Sequence, residues 1–266
     1  MKFKAILFAL LLVGAAFGQK GEGEGEGGGG SPVDNFANNA TGSYSGGAVV
    51  LHDQTGNPGG NGVPDQNFEA AFDAYDCMGA DDFEVPADRL WTVETVFIVG
   101  TYTGTGVAVS VNVAIHQDAA GVPGTVVQSF TGLAPSSDVA GQITVNLPGG
   151  VPLGEGRYWV AMQINKDFGG GNGQHFWSNT SVQNFNLAAW INPGNGFGSG
   201  CTNWTNTQTC GVGGGATIDL QYSISGTDVP ALMVPTLGQV GLIVFLVLLA
   251  GAALFFLRRQ RLATGA

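Results

Sequence analysis

The sequence predicts an all-β domain, a jelly-roll-like antiparallel β-sandwich, over residues 35–227 between two hydrophobic terminal segments. Short segments in this region alternate apolar and polar side chains with a period of two, as strands with one buried face do. Glycine and proline, which account for 45 and 11 of the 266 residues, separate these segments. No long stretch has helical periodicity, so we expect loops rather than helices to connect the strands.

Residues 1–18 have the pattern of a secretory signal peptide. Lys2 and Lys4 precede an apolar run, and the small residues Ala16 and Gly18 fit a peptidase that cleaves after Gly18. The run is too short to anchor the chain in a bilayer. A buried N-terminal helix is the alternative, but it would leave the basic residues before the apolar run unexplained.

Residues 19–34 are rich in glycine and glutamate. Such a composition buries too little apolar surface to offset the entropy of ordering the chain. We therefore predict a disordered spacer between the signal peptide and the β domain.

The clearest strand of the β domain is predicted from Val107 to Ile115, where every second residue is Val or Ile. The turn-rich segment Asp118–Gly124 follows it. The other predicted strands are Phe83–Val85, Trp91–Val99, Val126–Phe130, Gln142–Leu147, Tyr158–Ile164, His175–Ser178, Leu187–Ile191 and Ile218–Ile224. Together, the segments Ala80–Pro86 and Asp118–Gly124 resemble β-sandwich modules of exported bacterial proteins, a resemblance that implies a fold and no activity.

The charge of the central region excludes one class of partner. Between the two terminal hydrophobic segments, four basic residues stand against all 20 acidic residues, which leaves a net charge of −16. Nucleic-acid binding needs clustered Lys and Arg, so we expect no nucleic-acid partner.

The three cysteines are too few for a disulfide framework. Cys201 and Cys210 are close in sequence, and export would place them in an oxidising compartment, so we predict that they form a disulfide. Cys77 is then left over. It is interpreted as a buried free thiol, with a metal ligand or an intermolecular bridge as the alternatives.

Residues 228–266 form a tripartite C-terminal segment. A transmembrane helix is predicted at residues 238–257, whose apolar run is just long enough to cross the hydrocarbon of a bilayer. Arg258, Arg259 and Arg261 follow at once and form a basic stop at 258–261. Because basic residues stay on the cytoplasmic side, the β domain is expected outside, on the side that the N-terminal signal also predicts.

The residues before this helix, Val234-Pro235-Thr236-Leu237 and then Gly241, resemble the IPTL-CTERM sorting signal of Gram-negative bacteria, which has the pattern IPTLxxWG and is related to PEP-CTERM. Val234 replaces the isoleucine of that pattern, and Val240 stands where the family usually has tryptophan. The resemblance implies processing near residues 234–237 by an exosortase-family membrane protease. The alternative is a plain C-terminal membrane anchor that is never cleaved.

A loop-rich region holds the candidate ligand-binding aromatics, which are Trp177, Trp190 and Trp204. Aromatic faces flanked by Asn amides are typical of sugar-binding loops, and jelly rolls commonly carry such sites. Packing of these rings in the core is the alternative interpretation.

The candidate metal ligands are Asp73, Asp76, Asp81 and Asp82, which lie within ten residues of one another. Carboxylate oxygens at this density can hold Ca²⁺, although the spacing matches no EF-hand loop. A structural Ca²⁺ is the one cofactor hypothesis, and a solvated acidic loop is its alternative.

No sequence motif points to catalysis. The three histidines, His52, His116 and His175, lie in separate segments, and neither GxSxG nor HExxH occurs. His116 falls on the polar side of its predicted strand, so we expect it to be solvated. A hydrolase would need the acidic cluster and a histidine to meet in one pocket.

The sequence thus predicts a non-enzymatic exported protein of the cell surface or extracellular matrix, displayed by its C-terminal membrane-sorting signal. A carbohydrate-binding module that holds polysaccharide on its loop aromatics is the first alternative, and a secreted hydrolase is the second.

Overall fold

A computed structural model of the chain describes residues 48–214, 219–231, 243 and 246–249. The predicted signal peptide and spacer, the motif at 234–237 and the three C-terminal arginines lie outside the described residues. Of the predicted transmembrane helix, residue 243 and residues 246–249 are described, and their backbone is helical. Within the described ranges, no helix has the length and apolar character needed to cross a bilayer.

The described chain is built from short strands joined by loops. One short helix, α1, spans Thr207–Cys210, and 3-10 turns span Ala70–Tyr75 and Gly169–Gly171. The strands are β1 (Val49–Asp53), β2 (Pro58–Pro64), β3 (Gln66–Asn67), β4 (Met78–Val85), β5 (Arg89–Ile98), β6 (Gly100–Tyr102), β7 (Ser110–Asp118), β8 (Pro123–Leu133), β9 (Ser137–Val139), β10 (Gln142–Leu153), β11 (Gly156–Asn165), β12 (His175–Thr180), β13 (Ala189–Ile191), β14 (Thr205–Asn206), β15 (Asp219–Leu220) and β16 (Tyr222–Pro230).

The strands form three sheets. The first has the order β1-β16-β5-β10-β9, and the second has the order β14-β13-β4-β11-β7-β8, with β3 beside β11. The third has the order β15-β12-β2, with β6 also paired to β12. Apart from the parallel pair of β3 with β11, the described strand pairs are antiparallel. The predicted all-β class with packed antiparallel sheets is confirmed, with three sheets where a simple sandwich has two.

Each predicted strand overlaps an observed one, but the strand predicted from Val107 is displaced. β7 begins at Ser110, and the side chains of Val107 and Val109 are 61% and 79% exposed. Alternation also breaks down further along, because Ala114 and His116 are buried on the face that was predicted to be polar. The cause is that β7 lies inside the second sheet, between β8 and β11, and is covered on both faces.

One hydrophobic core joins all three sheets. Val96 of the first sheet, Phe83 of the second and Trp177 of the third belong to the same buried cluster. Because each sheet buries its apolar face against the others, the loops between the strands are left at the surface, where binding sites usually lie.

A second, smaller cluster lies around Trp159 of β11. Four alanines pack around its buried indole: Ala80, Ala114, Ala161 and Ala189. Small side chains on neighbouring strands leave the room that one large ring fills, and the indole Nε1 donates a hydrogen bond of 2.8 Å to Asp118. Trp204 packs against this cluster from a loop.

Gly226 of β16 is required where β16 bulges against β5. A Cβ atom at this position would lie 1.9 Å from the carbonyl oxygen of Thr92, which is backbone and cannot move aside cheaply. We expect Gly226→Ala to lower the free energy of unfolding by about 1–3 kcal/mol through overpacking. Chemical denaturation followed by circular dichroism measures this change.

The matched control is Gly56→Ala, because a Cβ there meets no atom within 4 Å. This substitution should leave stability within about 0.5 kcal/mol or raise it slightly. Equal stability of the two variants would contradict the proposed clash.

Candidate functional site

The predicted disulfide between Cys201 and Cys210 is present, with their Cα atoms 5.8 Å apart. Both cysteines are nearly buried, and the segment they close carries Trp204.

Cys77 is free and buried, and burial raises the pKa of its thiol far above the ordinary value. Such a thiol is inert, which agrees with its interpretation as a structural residue.

A surface cleft of about 520 Å³ lies beside Trp204 and is called the Trp204 cleft below. The six lining residues that matter for binding are Asn67, Asp73, Asp76, His116, Gln163 and Trp204. The structure therefore brings one of the three predicted tryptophans together with two of the four predicted metal ligands. It also adds two amide side chains that sequence reasoning did not select.

The 3-10 turn Ala70–Tyr75 presents the two carboxylates of the cleft. Asp76 ends the turn, and its Oδ1 accepts a hydrogen bond of 2.8 Å from the Phe68 amide. The buried side chain of Asn192 donates to the carbonyl oxygens of Ala74 and Asp76, both at 2.8 Å. The turn is thus held both by a local hydrogen bond, from Phe68 to Asp76, and by a residue distant in sequence, Asn192.

Gly196 approaches the same turn closely and adds a further hydrogen bond to it. The amide of Gly196 donates to the carbonyl oxygen of Ala74 at 2.6 Å. A Cβ at Gly196 would lie 2.6 Å from that oxygen, so a larger residue would push the loop off the turn.

His116 is not solvated as predicted, since its side chain is only 6% exposed. Its Nδ1 lies 2.9 Å from the carbonyl oxygen of Gly124, and Trp204 stands edge-on to the ring at 5.7 Å between centroids. The residue lies on a strand that is covered on both faces, which parity alone could not reveal. His116 does meet Asp73 and Asp76 in one cleft, the convergence that a hydrolase would require.

The chemistry of the cleft suits hydrogen-bonding ligands that have an apolar face. The Gln163 amide is already engaged, donating to the Cys77 carbonyl at 3.2 Å and accepting from Asn112 at 3.0 Å. Burial, reinforced by the nearby charge of Asp73, raises the pKa of Asp76. The two carboxylates therefore supply acceptor oxygens next to the half-buried indole of Trp204.

Trp177 and Trp190 do not form part of a binding surface, which corrects the prediction for both. Each is fully buried. The indole Nε1 of Trp177 donates to the Gln221 carbonyl at 2.9 Å, and that of Trp190 donates to the Pro64 carbonyl at 2.7 Å. Both rings pack in the core, which was the alternative interpretation, and both lie on strands rather than in loops.

The four predicted calcium ligands do not assemble into one site. Asp73 and Asp76 line the Trp204 cleft, whereas Asp81 and Asp82 are fully buried in β4. In the described part of the chain, no group of three or more His, Cys, Asp or Glu side chains is arranged to hold a metal ion. The four carboxylates are separated because Asp73 and Asp76 lie in and directly after the 3-10 turn Ala70–Tyr75, whereas Asp81 and Asp82 lie inside β4.

Asp219 of β15 is a third buried carboxylate beside Asp81 and Asp82, and the sequence analysis did not select it. Asp81 accepts hydrogen bonds from the Gln54 side chain at 2.7 Å and from the Leu220 amide. Asp82 accepts from the Asn186 side chain at 2.7 Å, and Asp219 accepts from the Asn184 amide. These carboxylates hold loops against the sheets.

Burial raises the pKa values of these three carboxyl groups. The pKa of Asp82 rises to about 6 and that of Asp219 to about 7, while that of Asp81 rises well above its ordinary value because the charge of Asp219 adds to burial. Among the described residues no hydrogen-bond partner is found for the Asp219 Oδ1 atom, so part of the cost of ionising this group is not compensated there.

A second buried ionisable pair joins His175 of β12 to Asp65. The His175 Nδ1 lies 2.6 Å from Asp65 Oδ1, and its Nε2 lies 3.0 Å from the Gly141 carbonyl oxygen. Burial opposes the charged form of His175, but the Asp65 charge and the acceptors at both ring nitrogens outweigh it and raise the His175 pKa. Both side chains are fully buried, so this pair cannot reach a substrate in the described structure.

The raised carboxyl pKa values predict a characteristic pH dependence of stability. An unfolded Asp has a pKa of about 3.9, whereas the folded Asp82 and Asp219 have pKa values of about 6 and about 7. The folded chain binds more protons between these limits, so its free energy of unfolding should fall as pH rises from about 4 to about 7. His175 acts in the same direction, because its folded pKa is also raised. Thermal denaturation across this range measures the effect.

Asp219→Asn is the variant that isolates this contribution, since it keeps an acceptor for Asn184 and cannot ionise. We expect a shallower pH profile and a higher melting temperature than wild type at about pH 8. Asp53 and Glu69 have lowered pKa values and act in the opposite direction below about pH 5, so the comparison of the two profiles uses pH values above about 5. Parallel profiles for wild type and variant would contradict this account.

The chain has a distant structural likeness to a known protein. No protein-family model and no curated protein sequence matches the chain. Its fold is similar to part of a solved structure of the cysteine protease and lectin-like domains of Cwp84, a surface layer associated protein of Clostridium difficile, at 12% sequence identity and a TM-score of 0.39. The match covers 57% of this chain and 32% of that one. A similarity of this level assigns neither an activity nor a ligand.

Proposed function

We propose that the chain is a non-enzymatic exported protein that is displayed at the cell surface or in the extracellular matrix by its C-terminal membrane-sorting signal. In this proposal the jelly-roll-like β domain is a scaffold that positions surface loops outside the cell. An exosortase-family protease processes residues 234–237, or the helix at 238–257 remains in the membrane with its basic tail in the cytoplasm.

The observation that carries this proposal is the disulfide between Cys201 and Cys210. Disulfides persist in oxidising compartments and are rare in the cytosol. The oxidised pair therefore supports the export that the signal-like residues 1–18 predict from an independent part of the chain.

The buried ionisable groups support a structural rather than a catalytic role, whereas His116, Asp73 and Asp76 are the groups that the hydrolase alternative would use. Asp81 and His175 each have their polar atoms engaged by protein groups, and both are buried away from solvent. A catalytic acid or base must reach the substrate proton, directly or through one water. These groups are better placed to hold loops than to react.

Export and processing are tested by fractionating cells and measuring the termini and thiol state of the chain by mass spectrometry. We expect a mature N-terminus at Gln19, a chain in the envelope or medium, and an oxidised Cys201–Cys210 pair. A C-terminus near residues 234–237 indicates processing, whereas an intact C-terminus in the membrane fraction indicates a plain anchor. Full-length, reduced chain in the cytosol contradicts the proposal.

A carbohydrate-binding module is the second candidate function, and the Trp204 cleft favours it. Its half-buried indole lies beside the carboxylates of Asp73 and Asp76. Saccharides combine an apolar ring face with hydroxyl donors, and these two features match an aromatic wall with acceptor oxygens beside it.

Substitution of Trp204 tests this candidate. If the cleft binds polysaccharide, Trp204→Ala should lower retention on the preferred glycan about tenfold through loss of the aromatic wall. Phe185→Ala is the matched control, because that ring is 46% exposed and lies outside the cleft, and it should retain binding. Trp177→Ala should instead cost about 3–5 kcal/mol of stability as a core cavity. No retention of wild type across a broad glycan panel removes the candidate.

A further inference from the structure

A second surface pocket lies on the opposite side of the 3-10 turn Ala70–Tyr75 and has a different chemistry. It has a volume of about 280 Å³, and five of its six wall residues are aromatic. We call these five rings the aromatic cage: Phe68, Phe72, Tyr75, Phe168 and Phe197. The sixth wall residue is Gln174.

The rings of the cage are arranged as steeply inclined walls rather than as a flat platform. Phe72 and Phe168 meet at 74° with centroids 5.6 Å apart, and Tyr75 and Phe197 meet at 89° with centroids 5.2 Å apart. Phe68 stands at 66° to Tyr75. A sugar ring stacks on a flat face, whereas walls at these angles enclose a compact, rounded group. The geometry therefore selects a different ligand from that of the Trp204 cleft.

Three of the five cage rings have a large solvent-exposed fraction. Tyr75, Phe168 and Phe197 are 40%, 43% and 38% exposed, whereas Phe68 is nearly buried and closes one wall. Clustered exposed aromatic rings on a soluble surface usually mark a binding site. The faces of such rings carry partial negative charge and attract cations.

The charges around the cage also favour a cation. The Glu69 carboxylate follows Phe68 in the chain and accepts hydrogen bonds from the amides of Phe168 and Gly169, at 2.7 and 2.9 Å. Asp73 follows Phe72 in the same turn. Among the residues that the structure describes, no basic side chain lines the pocket.

The nearest lysine in sequence is not available to fill the cage. Lys166 is only 4% exposed, and its Nζ donates to the carbonyl oxygens of Asn172 and Gly173 at 2.5 and 2.9 Å. It also lies 5.5 Å from the Tyr102 ring centroid, outside the pocket. Lys166 is therefore committed to holding the glycine-rich loop that carries Phe168.

The wall of the pocket contains one buried polar atom that could donate a hydrogen bond to a ligand. The side-chain Nε2 of Gln174 is buried and has no hydrogen-bond partner in the described part of the chain, whereas its backbone amide donates to Thr103 Oγ1 at 2.9 Å. A buried donor left unpaired costs free energy, which an acceptor on a ligand would recover. A ligand that carries an oxygen close to its cationic group meets both requirements.

We propose that the aromatic cage binds a choline-like ligand, whose quaternary ammonium group is enclosed by the five rings and whose oxygen accepts a hydrogen bond from Gln174. The site is separate from the Trp204 cleft and does not depend on carbohydrate binding or on export. Its ligand is recognised by positive charge, rounded shape and a nearby acceptor.

The decisive comparison uses choline and its neutral isostere 3,3-dimethyl-1-butanol, which differ only by carbon in place of the charged nitrogen. Isothermal titration of the purified full-length chain should show choline binding at least about tenfold more tightly. Equal affinities would show that the cage is only an apolar pocket, and absence of choline binding would overturn the proposal outright. This comparison uses the wild-type chain and so does not depend on whether a variant folds.

Ring substitutions then locate the site. Phe72→Leu and Phe168→Leu keep an apolar side chain but remove the aromatic face, and each should weaken choline binding about fivefold or more. Phe185→Leu removes a ring of similar exposure elsewhere and should leave choline affinity unchanged. Equal losses in all three variants, with unchanged melting temperatures, would place the ligand elsewhere.

Two further ligands, phosphocholine and a trimethyl-lysine peptide, test which kind of molecule supplies the quaternary ammonium group. We expect free choline to bind more tightly than phosphocholine, because the acidic surroundings oppose a phosphate. A trimethyl-lysine peptide should bind more weakly than choline, since it has no oxygen placed for Gln174, and Gln174→Leu should reduce the difference. Tighter binding of the peptide than of choline would overturn the assignment to a choline-like ligand.

Discussion

The fixation of the 3-10 turn Ala70–Tyr75 by Asn192 is the constraint on which both surface pockets depend. The buried amide nitrogen of Asn192 donates to the carbonyl oxygens of Ala74 and Asp76, and its Oδ1 accepts from the Phe197 amide at 3.2 Å. Its backbone amide donates to the Cys201 carbonyl at 2.8 Å. One residue thereby ties the turn to the loop of Phe197 and to the disulfide-closed segment. Without it, the carboxylates of one pocket and the rings of the other would lose their common support.

Polar fixation of loops to a sheet framework is repeated throughout the domain. Asp81, Asp82 and Asp219 each accept hydrogen bonds from loop or strand residues distant in sequence, and Lys166 holds the glycine-rich loop through three carbonyl oxygens. A chain with few helices and many glycines has large backbone entropy to lose on folding. Buried polar groups with specific partners select one loop arrangement among many, which an apolar core alone does not do.

The fold could be predicted from the sequence in its class and in the position of most strands. Period-two alternation located β5, β10 and β16 because these strands bury one face against the core. β11 was also located, although it is buried on both faces, with Val160 and Met162 in the main core and Trp159 and Ala161 in the second cluster. It failed for β2, whose sequence Pro58–Pro64 is dominated by glycine and proline, residues that normally mark turns. It also misplaced the start of β7 and the exposure of His116, because a strand covered on both faces no longer alternates.

The candidate site could be predicted only in fragments. Trp177 belongs to the predicted strand His175–Ser178, and β12 begins with alternating buried and partly exposed side chains, with Trp177 on the buried side. Trp204, Asp73 and Asp76 were selected for separate reasons and meet in one cleft. Their meeting depends on contacts between residues far apart in the chain, such as the hydrogen bonds from Asn192 to Ala74 and Asp76, 118 and 116 positions away, which no local pattern records.

The two pockets illustrate how one scaffold supports two chemistries through a single turn. Successive residues of a 3-10 turn project in different directions, so Phe72 and Tyr75 face one pocket while Asp73 and Asp76 face the other. The acidic groups therefore serve as acceptors on one side and add negative charge to the rings on the other. Because the sheets supply rigidity and the loops supply chemistry, changes in this turn alter recognition without requiring a change in the core. The chemistry of the two pockets thus depends on a small set of side chains around this turn, which the sheets hold in place.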